Sequence, residues 1–258
     1  MMKKGIMLLI SCLSISSYAD INHQVDLGFT DLSGLDKAFL GARYRYFSDD
    51  LNALSGPQEL KSHLHRVSNV AIGGFANDNL YYITSDATYY WQHGVILAAG
   101  VQHVDDDSGI WQSDSSLLNA SIGNQINDQL QIGLTAFYSR VEETRHFYPS
   151  EELTSVEWSY APYIRWTNIN NNQGWDIEAK QLAGRYRYIQ GRAAYYVNQD
   201  WSVGVVANVH GRGDRDDNYE IQTQYWFNEH IALKFGLGSS LKSDDGLNSA
   251  TLLLNTRW

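Results

Sequence analysis

Several residue types that stabilise or interrupt folds are scarce in this chain. It has one cysteine, Cys12, and three prolines among 258 residues. A single cysteine excludes an intramolecular disulfide, and few prolines leave long β ladders uninterrupted. After residue 20 there is no run of eighteen apolar residues, which excludes a transmembrane helix there. The formal charge of −10 also lacks the basic excess that a nucleic-acid partner requires.

Aromatic residues and glycine, by contrast, are plentiful. The chain contains 17 Tyr, 8 Trp and 21 Gly, and aromatic residues make up 13% of it. Tyr and Trp are the residues that accumulate at a membrane interface, and crowded β-barrel walls tolerate glycine. This composition favours a β-barrel that is apolar outside and polar inside, although a water-soluble β protein would have a similar mean hydropathy.

The first residues predict a secretory signal peptide. Lys3 and Lys4 form a short cationic region, residues 5–15 form an apolar core, and Ser17-Tyr18-Ala19 is a small-x-small cleavage site. We therefore predict a signal peptide at residues 1–19 and one mature domain at residues 20–258. An alternative interpretation takes Leu9 to Cys12 as a lipoprotein box with Cys12 acylated. If cleavage follows Ala19, the mature chain has no cysteine.

From about residue 22 onward, apolar and polar residues alternate with the period of a β-strand. Leu233 and Phe235, for example, alternate with Lys234 and Gly236. The pattern predicts fourteen strands, with twelve as the alternative count. Their approximate bounds are 22–30, 38–47, 66–76, 81–91, 95–104, 116–126, 129–140, 155–167, 174–183, 185–197, 201–211, 217–227, 230–240 and 248–258.

The connections between these strands alternate between short and long. Three short ones begin with an apolar residue followed by asparagine, at Asn127, Asn198 and Asn228. Asparagine favours tight turns because its side chain bonds to the local backbone. The longer polar stretches are 104–115, 140–155, 211–217 and 241–248. This asymmetry is typical of outer-membrane barrels, which have short periplasmic turns and longer external loops.

The tryptophans and the last strand support the same fold class. Residues 249–258 form a strand with one mostly apolar face that ends on Trp258, as the closing strand of an outer-membrane barrel does. Six of the eight tryptophans lie beside proposed short turns, as in an interfacial belt: Trp91, Trp166, Trp175, Trp201, Trp226 and Trp258. We predict an all-β, closed, antiparallel, transmembrane up-and-down β-barrel in the bacterial outer membrane.

Residues 55–70 resemble a landmark of a known family. They contain Gly56-Pro57 followed by Glu59, and then Arg66-Val67-Ser68 leading into the next strand. This segment, with the opening strands at 24–29 and 41–47, is similar to the general bacterial porin family of Gram-negative bacteria. The resemblance covers mainly residues 20–75, and it implies a porin-like barrel without naming a solute.

Charged residues on the polar faces of the predicted strands are candidate pore-lining residues. Facing rows of opposite charge would select permeants by size and charge, whereas charges paired across strands would plug the lumen. Both alternatives fit the sequence. The basic candidates are Arg43, Arg45, Arg165, Lys180, Arg192 and Lys234, and the acidic candidates are Asp86, Glu157, Asp176, Glu178 and Glu220.

Two other functions are alternatives to a pore. The stretches 104–115 and 140–155 could form an adhesin or receptor surface on a closed barrel. A hydrolase at the outer rim could use His103 or His210, each of which lies near acidic residues. No nucleophile motif, phosphate loop or HExxH sequence accompanies these histidines, so we predict no enzyme, no catalytic residues, no metal and no cofactor.

The sequence therefore predicts passive diffusion of small hydrophilic solutes through a charge-lined lumen. The expected partners are outer-membrane lipid, lipopolysaccharide, the barrel-assembly machinery and the solutes themselves. A monomer and a homo-oligomer are both compatible with the sequence. The apolar face of the last strand, with Leu254, Thr256 and Trp258, is the predicted assembly signal.

Deleting Trp258, or extending the chain past it, should impair barrel assembly and leave secretion intact, because the closing strand would lose its interfacial aromatic residue. The measurement is the heat-modifiable electrophoretic shift of the folded barrel. A normal shift from the deletion variant would make the last strand an ordinary one.

Overall fold

A computed structural model describes residues 20–31, 39–77, 79–107, 111–145, 151–182, 188–210, 217–240 and 249–258. Within these residues the chain forms one closed antiparallel barrel of fourteen strands, in which each strand pairs with its neighbours in sequence and the first pairs with the last. This confirms the predicted up-and-down barrel and the count of fourteen. The predicted signal peptide at residues 1–19 lies outside the described residues.

The strand bounds agree closely with the alternation in the sequence. The strands are β1 His23–Asp31, β2 Phe39–Phe47, β3 Asn69–Ala76, β4 Leu80–Tyr90, β5 Val95–Asp107, β6 Trp111–Gln125, β7 Leu130–Arg145, β8 Glu151–Asn170, β9 Gln173–Leu182, β10 Tyr188–Tyr196, β11 Trp201–His210, β12 Asn218–Trp226, β13 Ile231–Ser240 and β14 Ser249–Arg257. The described residues also contain a single helical turn, α1 (Lys61–Leu64), and a 3₁₀ turn at Gln92–Gly94. No helix among the described residues is long and apolar enough to cross a membrane.

Barrel closure comes from the pairing of β1 with β14. Leu27 pairs with Leu254, and the same register continues from Gln24 opposite Arg257 to Asp31 opposite Ala250. Every strand therefore has a hydrogen-bonded neighbour on both sides, so the sheet has no free edge. Apolar side chains project outward, as at Leu40 (70% exposed) and Ile122 (59%), while the polar set projects into the lumen.

The short turns form at the predicted asparagines, all at the end of the barrel where β1 begins and β14 ends. We call this end the short-turn end. The Asn228 Oδ1 accepts hydrogen bonds from the backbone N–H groups of His230 and Ile231, each at 2.9 Å. Asn127 and Asn198 accept the same pair of bonds from the residues two and three positions later. The asparagine side chain thus stabilises each reversal of the chain.

Strands β5 to β8 are longer than predicted, and two of the predicted loops are wrong for this reason. The range 104–115 lies mostly in β5 and β6, and the range 140–155 lies mostly in β7 and β8. Strand β8 alone has 20 residues. These ranges are polar on both faces, so the sequence resembles a loop even though the backbone continues its ladder. The stretches 211–216 and 241–248 lie outside the described residues.

One tryptophan of the predicted interfacial belt faces the other way. Trp226 is 2% exposed, and the Arg257 guanidinium lies 4.0 Å from its ring centroid. It belongs to the inward set of β12 with Gln224, whereas Trp91, Trp175 and Trp201 are exposed on the outside. The short turn after Trp226 correctly predicts that this residue lies near the short-turn end, but it does not predict whether the side chain faces lipid or the lumen.

Replacing Asn228 with alanine should lower the free energy of unfolding by about 1 kcal/mol, because two backbone N–H groups exchange a protein acceptor for water. The measurement is a reversible urea titration of the barrel folded into lipid vesicles. Asn228→Asp keeps an oxygen acceptor and should unfold like the wild type; an equal loss in both variants would contradict the role assigned to that oxygen.

Candidate functional site in the barrel lumen

The connection between β2 and β3, residues 48–68, crosses the lumen, and we call it the crossing segment. In the ring of fourteen strands, β2 and β3 lie half the ring away from β9 and β10. The crossing segment nevertheless contacts Thr167 on β8, Arg192 on β10 and Ser202 on β11. It therefore spans the barrel from one wall to the opposite wall near the short-turn end.

The root of the crossing segment is held by an apolar cluster next to the first strand. Ile21, Phe47, Leu51 and Val67 are each at most 2% exposed and pack together, with Leu54 against them. The Leu51 N–H donates to the Ile21 carbonyl at 3.0 Å. Burying these four side chains fixes where the segment leaves the wall and where it returns.

The turn that directs the segment into the lumen is built by its own sequence. Gly56 has a φ of +106°, in the left-handed region that favours glycine, and a Cβ there would lie 2.8 Å from Leu64. The Leu60 N–H then donates to the Pro57 carbonyl at 2.9 Å, and α1 begins at the next residue. Arg66, with a φ of +56°, lies in the left-handed region just after α1.

Glu59 is the residue that fixes the tip of the crossing segment to the far wall. Its Oε2 accepts hydrogen bonds from the Tyr196 hydroxyl and the Ser202 hydroxyl, each at 3.1 Å. Its Oε1 lies 3.3 Å from the Arg192 Nη2. Leu60 packs beside these bonds against Ala194 and Tyr196. The tip is thus held by one carboxylate with three partners and by a small apolar contact.

The wall facing the tip is organised by Asp176, which is fully buried. Arg165 donates two hydrogen bonds to this carboxylate, at 2.8 and 2.9 Å. Arg192 donates a third at 2.7 Å, and the Thr167 hydroxyl donates a fourth at 2.7 Å. Arg192 therefore bridges Asp176 on the wall to Glu59 on the crossing segment. A buried carboxylate with this many donors keeps its charge and holds both guanidinium groups in place.

All eleven predicted pore-lining residues belong to the inward set of their strands, although their part in solute passage stays a prediction. Three of them, Arg165, Asp176 and Arg192, form the cluster just described. Arg43 on β2 pairs with Asp86 on β4, whereas Lys180 lies 4.0 Å from Glu178 on the same strand, β9. Glu220 accepts from Thr251 at 3.3 Å, and Lys234 lies near Glu59 and Arg192. Arg45 and Glu157 also face inward, on β2 and β8.

The sequence did not identify the residues of the crossing segment as functional. Gly56-Pro57 and Glu59 were visible as a motif, but no pattern linked Glu59 to residues more than 130 positions away. Arg257 was also missed: its Nη1 donates to the Gln58 carbonyl at 3.0 Å, and its Nε donates to Gln24 at 2.7 Å. These contacts depend on closure of the barrel, which no local pattern encodes.

His63 is the titratable group of α1 that faces the Asp176 cluster. Its Nε2 lies 3.3 Å from the Thr167 Oγ1, while its Nδ1 is buried without a hydrogen-bond partner. Burial, reinforced by repulsion from Arg165 and Arg192, lowers the pKa of His63 to about 3, and Asp176 opposes this only in part. His63 is therefore neutral when the segment is docked. Burial also lowers the pKa of Lys61 on the same helical turn.

The outer rim contains no catalytic geometry around His103. The Nδ1 of His103 lies 3.2 Å from the Ser116 Oγ and 3.5 Å from the Asp114 Oδ1. A serine triad needs the carboxylate and the nucleophile on different ring nitrogens, so this arrangement is not one. His210 ends β11, next to residues outside the described part of the chain. No metal-binding cluster of His, Cys, Asp and Glu occurs among the described residues.

The predicted assembly residues lie on the outward face of β14. Leu254 pairs with Leu27 and Thr256 with Val25, on the face opposite Asn255 and Arg257. The Trp258 carbonyl accepts hydrogen bonds from two backbone N–H groups at the start of the chain, the shorter at 2.8 Å, and its ring stacks on His23. Their role as an assembly signal stays a prediction.

Docking of the crossing segment should weaken as the pH falls below about 6.5. A released His63 takes up a proton near pH 6.5, whereas the docked residue does so only near pH 3, so acid favours release throughout that interval. Between pH 7 and pH 5, where carboxylates stay ionised, we expect a loss of about 1–2 kcal/mol in docking free energy. The measurement is amide hydrogen exchange across residues 48–68.

The control for this pH effect is His63→Gln, which can still bond to Thr167 but cannot titrate. Exchange in this variant should have the same protection at both pH values, once corrected for the intrinsic rate. If the variant loses protection as the wild type does, His63 is not the responsible group.

Comparison with known proteins places the fold and leaves the family unassigned. No family model matches this chain, and no curated protein does. Among solved structures, the chain is similar to the outer membrane protein Omp33 of Acinetobacter baumannii, with a TM-score of 0.65 and 16% identity over 93% of this chain and 98% of that one. Identity this low shows the fold alone, and the specific porin family stays a prediction.

Two further structures agree on the architecture. The toluene transporter TbuX of Ralstonia pickettii has a TM-score of 0.55 at 8% identity, over 92% of this chain and 90% of that chain. A BamA of Haemophilus ducreyi lacking POTRA domains 1–3 has a TM-score of 0.52 at 8% identity, over 93% and 70%. The chain thus shares the closed β-barrel fold of these three structures.

Proposed function

We propose that this protein is an outer-membrane channel for passive diffusion of small hydrophilic solutes, closed on the periplasmic side by the crossing segment. The apolar outer surface suits lipid, and the inner face is polar. The short-turn end carries the short turns, which lie on the periplasmic side in barrels of this kind. Lipopolysaccharide and the barrel-assembly machinery are proposed partners. A homo-oligomer is a proposed state. We propose no enzymatic activity.

The lumen beyond the crossing segment supports a solute path. Cavities of about 310 and 300 Å³ lie against two different walls, one lined from β4 to β9 and the other from β11 to β14. Both have polar linings that include amide, hydroxyl and carboxylate groups. Each has room for about ten water molecules at ~30 Å³ each. Solutes smaller than a disaccharide would fit such spaces.

The attachment of Glu59 to the far wall is the observation that carries the gate. The crossing segment interrupts no barrel strand, so its tip can leave the wall while every ladder hydrogen bond remains. The tip is held by the three polar contacts of Glu59, by the hydrogen bonds of Gln58 to Gln199 and Arg257, and by the packing of Leu60. Each such hydrogen bond contributes roughly 0.5–3 kcal/mol, so the loss of one of them shifts the docking equilibrium measurably.

Replacing Glu59 with glutamine should raise the open probability of the channel about tenfold. The amide keeps the volume and some hydrogen bonds but loses the charge that attracts Arg192, a loss of about 1.5 kcal/mol. The measurement is single-channel recording of the refolded full chain in planar bilayers. Stepwise openings of unchanged conductance but longer total open time are expected.

Asp49→Asn is the matched control, since it removes one carboxylate from the exposed root of the same segment. Its open probability should equal that of the wild type. Equal behaviour of Glu59→Gln and wild type would reject the gate, and a heat-modifiable barrel that stays silent in all variants would reject the channel.

A second function, binding of an external partner, is favoured by the height of one wall. Strands β6 to β8 have 15, 16 and 20 residues, whereas β10 and β12 have nine each. The taller wall carries outward-facing polar residues such as Arg140 and Glu142, which pair with each other. A silent barrel in bilayers would favour this receptor function over the channel.

A further inference from the structure

The larger cavity of the lumen lies beside the Asp176 cluster, on the wall from β4 to β9. Its volume is about 310 Å³. Pairing places Gln131, Arg165 and Glu178 in one inward row across β7, β8 and β9, and places Tyr163 and Lys180 in the next row. This cavity lies one step farther from the short-turn end than Thr167, which contacts the crossing segment. A solute in the lumen would meet it just before the gate.

Three aromatic side chains, Tyr90, Phe137 and Tyr163, line the cavity. The Lys180 Nζ lies 6.0 Å from the centroid of the Tyr163 ring. The Tyr163 ring lies over Gly133, where a Cβ would be 2.4 Å from the ring carbons. The Gln131 Nε2 donates to the Tyr163 hydroxyl at 3.0 Å and holds the ring in this position. The ring is therefore fixed before any solute arrives.

The polar side of the cavity contains a loosely joined pair of opposite charges. The Lys180 Nζ lies 4.0 Å from the Glu178 Oε1, and their side chains are 31% and 32% exposed. Arg165 also lines the cavity, but it donates two hydrogen bonds to the buried Asp176, which holds its guanidinium toward that carboxylate. Glu178 and Lys180 thus offer one carboxylate and one ammonium group, about 4 Å apart, to a solute.

Gln131 supplies a second, independent sign that this wall is built for a ligand. It is 8% exposed and lines the cavity, and its Oε1 is buried without a hydrogen-bond partner. Because this oxygen is itself covered, a solute donor reaches it only when the amide turns toward the cavity, and the hydrogen bond then removes the cost of an unpaired buried acceptor.

We propose that this cavity is a binding site for small zwitterionic solutes, of the amino-acid class with an apolar or aromatic side chain. The solute ammonium would lie against Glu178 and its carboxylate against Lys180, while the side chain of the solute packs against the aromatic residues of the cavity. A solute with a single charge would match one member of the pair and leave the other without a partner. The inference rests on the proposed channel for the route by which such a solute arrives.

The experiment is a binding titration of the detergent-purified full chain with L-phenylalanine, followed by saturation-transfer-difference NMR. Phenethylamine and 3-phenylpropionate carry the same ring with one charge each, and glucose is a neutral polyol of similar size. Phenylalanine should bind, and each analogue with one charge should bind at least tenfold more weakly. Equal binding of the three aromatic compounds, or displacement of phenylalanine by glucose, would overturn the proposal.

Variants test whether binding occurs at this wall. The double variant E178Q/K180Q should lose phenylalanine binding at least tenfold. The matched control E220Q/K234Q neutralises one acidic and one basic residue on the opposite wall and should bind as the wild type does. G133A, which displaces the Tyr163 ring without touching a charge, should weaken binding as well. Equal losses in E178Q/K180Q and the control, or none in E178Q/K180Q while its barrel remains heat-modifiable, would reject the site.

These measurements use no membrane, so they separate the inference from the proposed function. A barrel that binds phenylalanine but conducts no ions in bilayers would reject the channel and keep the site. A conducting barrel that binds none of the four compounds would keep the channel and reject the site.

Discussion

The rest of this structure depends on the requirement that every backbone N–H and C=O in a lipid-facing sheet be paired. Fourteen strands meet it only because β1 pairs with β14 and removes both free edges. Once the ring is closed, side chains on alternate residues have only two destinations, lipid or lumen. The charged residues of the inward set then share one enclosed space, where several form pairs, whereas Arg140 and Glu142 pair on the outer face of β7.

Within that space, Asp176 and Arg192 connect the wall to the crossing segment. The Asp176 carboxylate binds Arg165 and Arg192 on neighbouring strands, and Arg192 in turn reaches Glu59. Two cations share two anions across four elements of the chain, β8, β9, β10 and the crossing segment, so the cluster is nearly neutral as a whole. Because its charge is paired with Arg192, Glu59 lies against the wall without a large net desolvation cost. Three of the eleven predicted pore-lining residues belong to this network, namely Arg165, Asp176 and Arg192.

The sequence predicted the barrel and the direction of its charged side chains because both follow from local periodicity. In β13, Leu233 and Lys234 lie on opposite faces because successive side chains of a strand alternate between its two faces. At the turn before β13, the Asn228 side chain bonds to the backbone of its own loop and reverses the chain. The contacts of Glu59 could not be predicted, because its partners lie on strands that only the closed ring brings near. Trp226 was misassigned because its neighbour Arg257 comes from a strand two places away.

The attachment of the crossing segment to Arg257 imposes an order of events on biogenesis. Arg257 lies on β14, and its guanidinium holds the Gln58 carbonyl while also bonding to Gln24 on β1. That geometry exists only after the first and last strands have joined. The contact of the crossing segment with Arg257 therefore forms only in the closed ring, whereas the contacts of Glu59 with β10 and β11 need no closure. Closure of the barrel thus completes the attachment of the segment as well as the sheet.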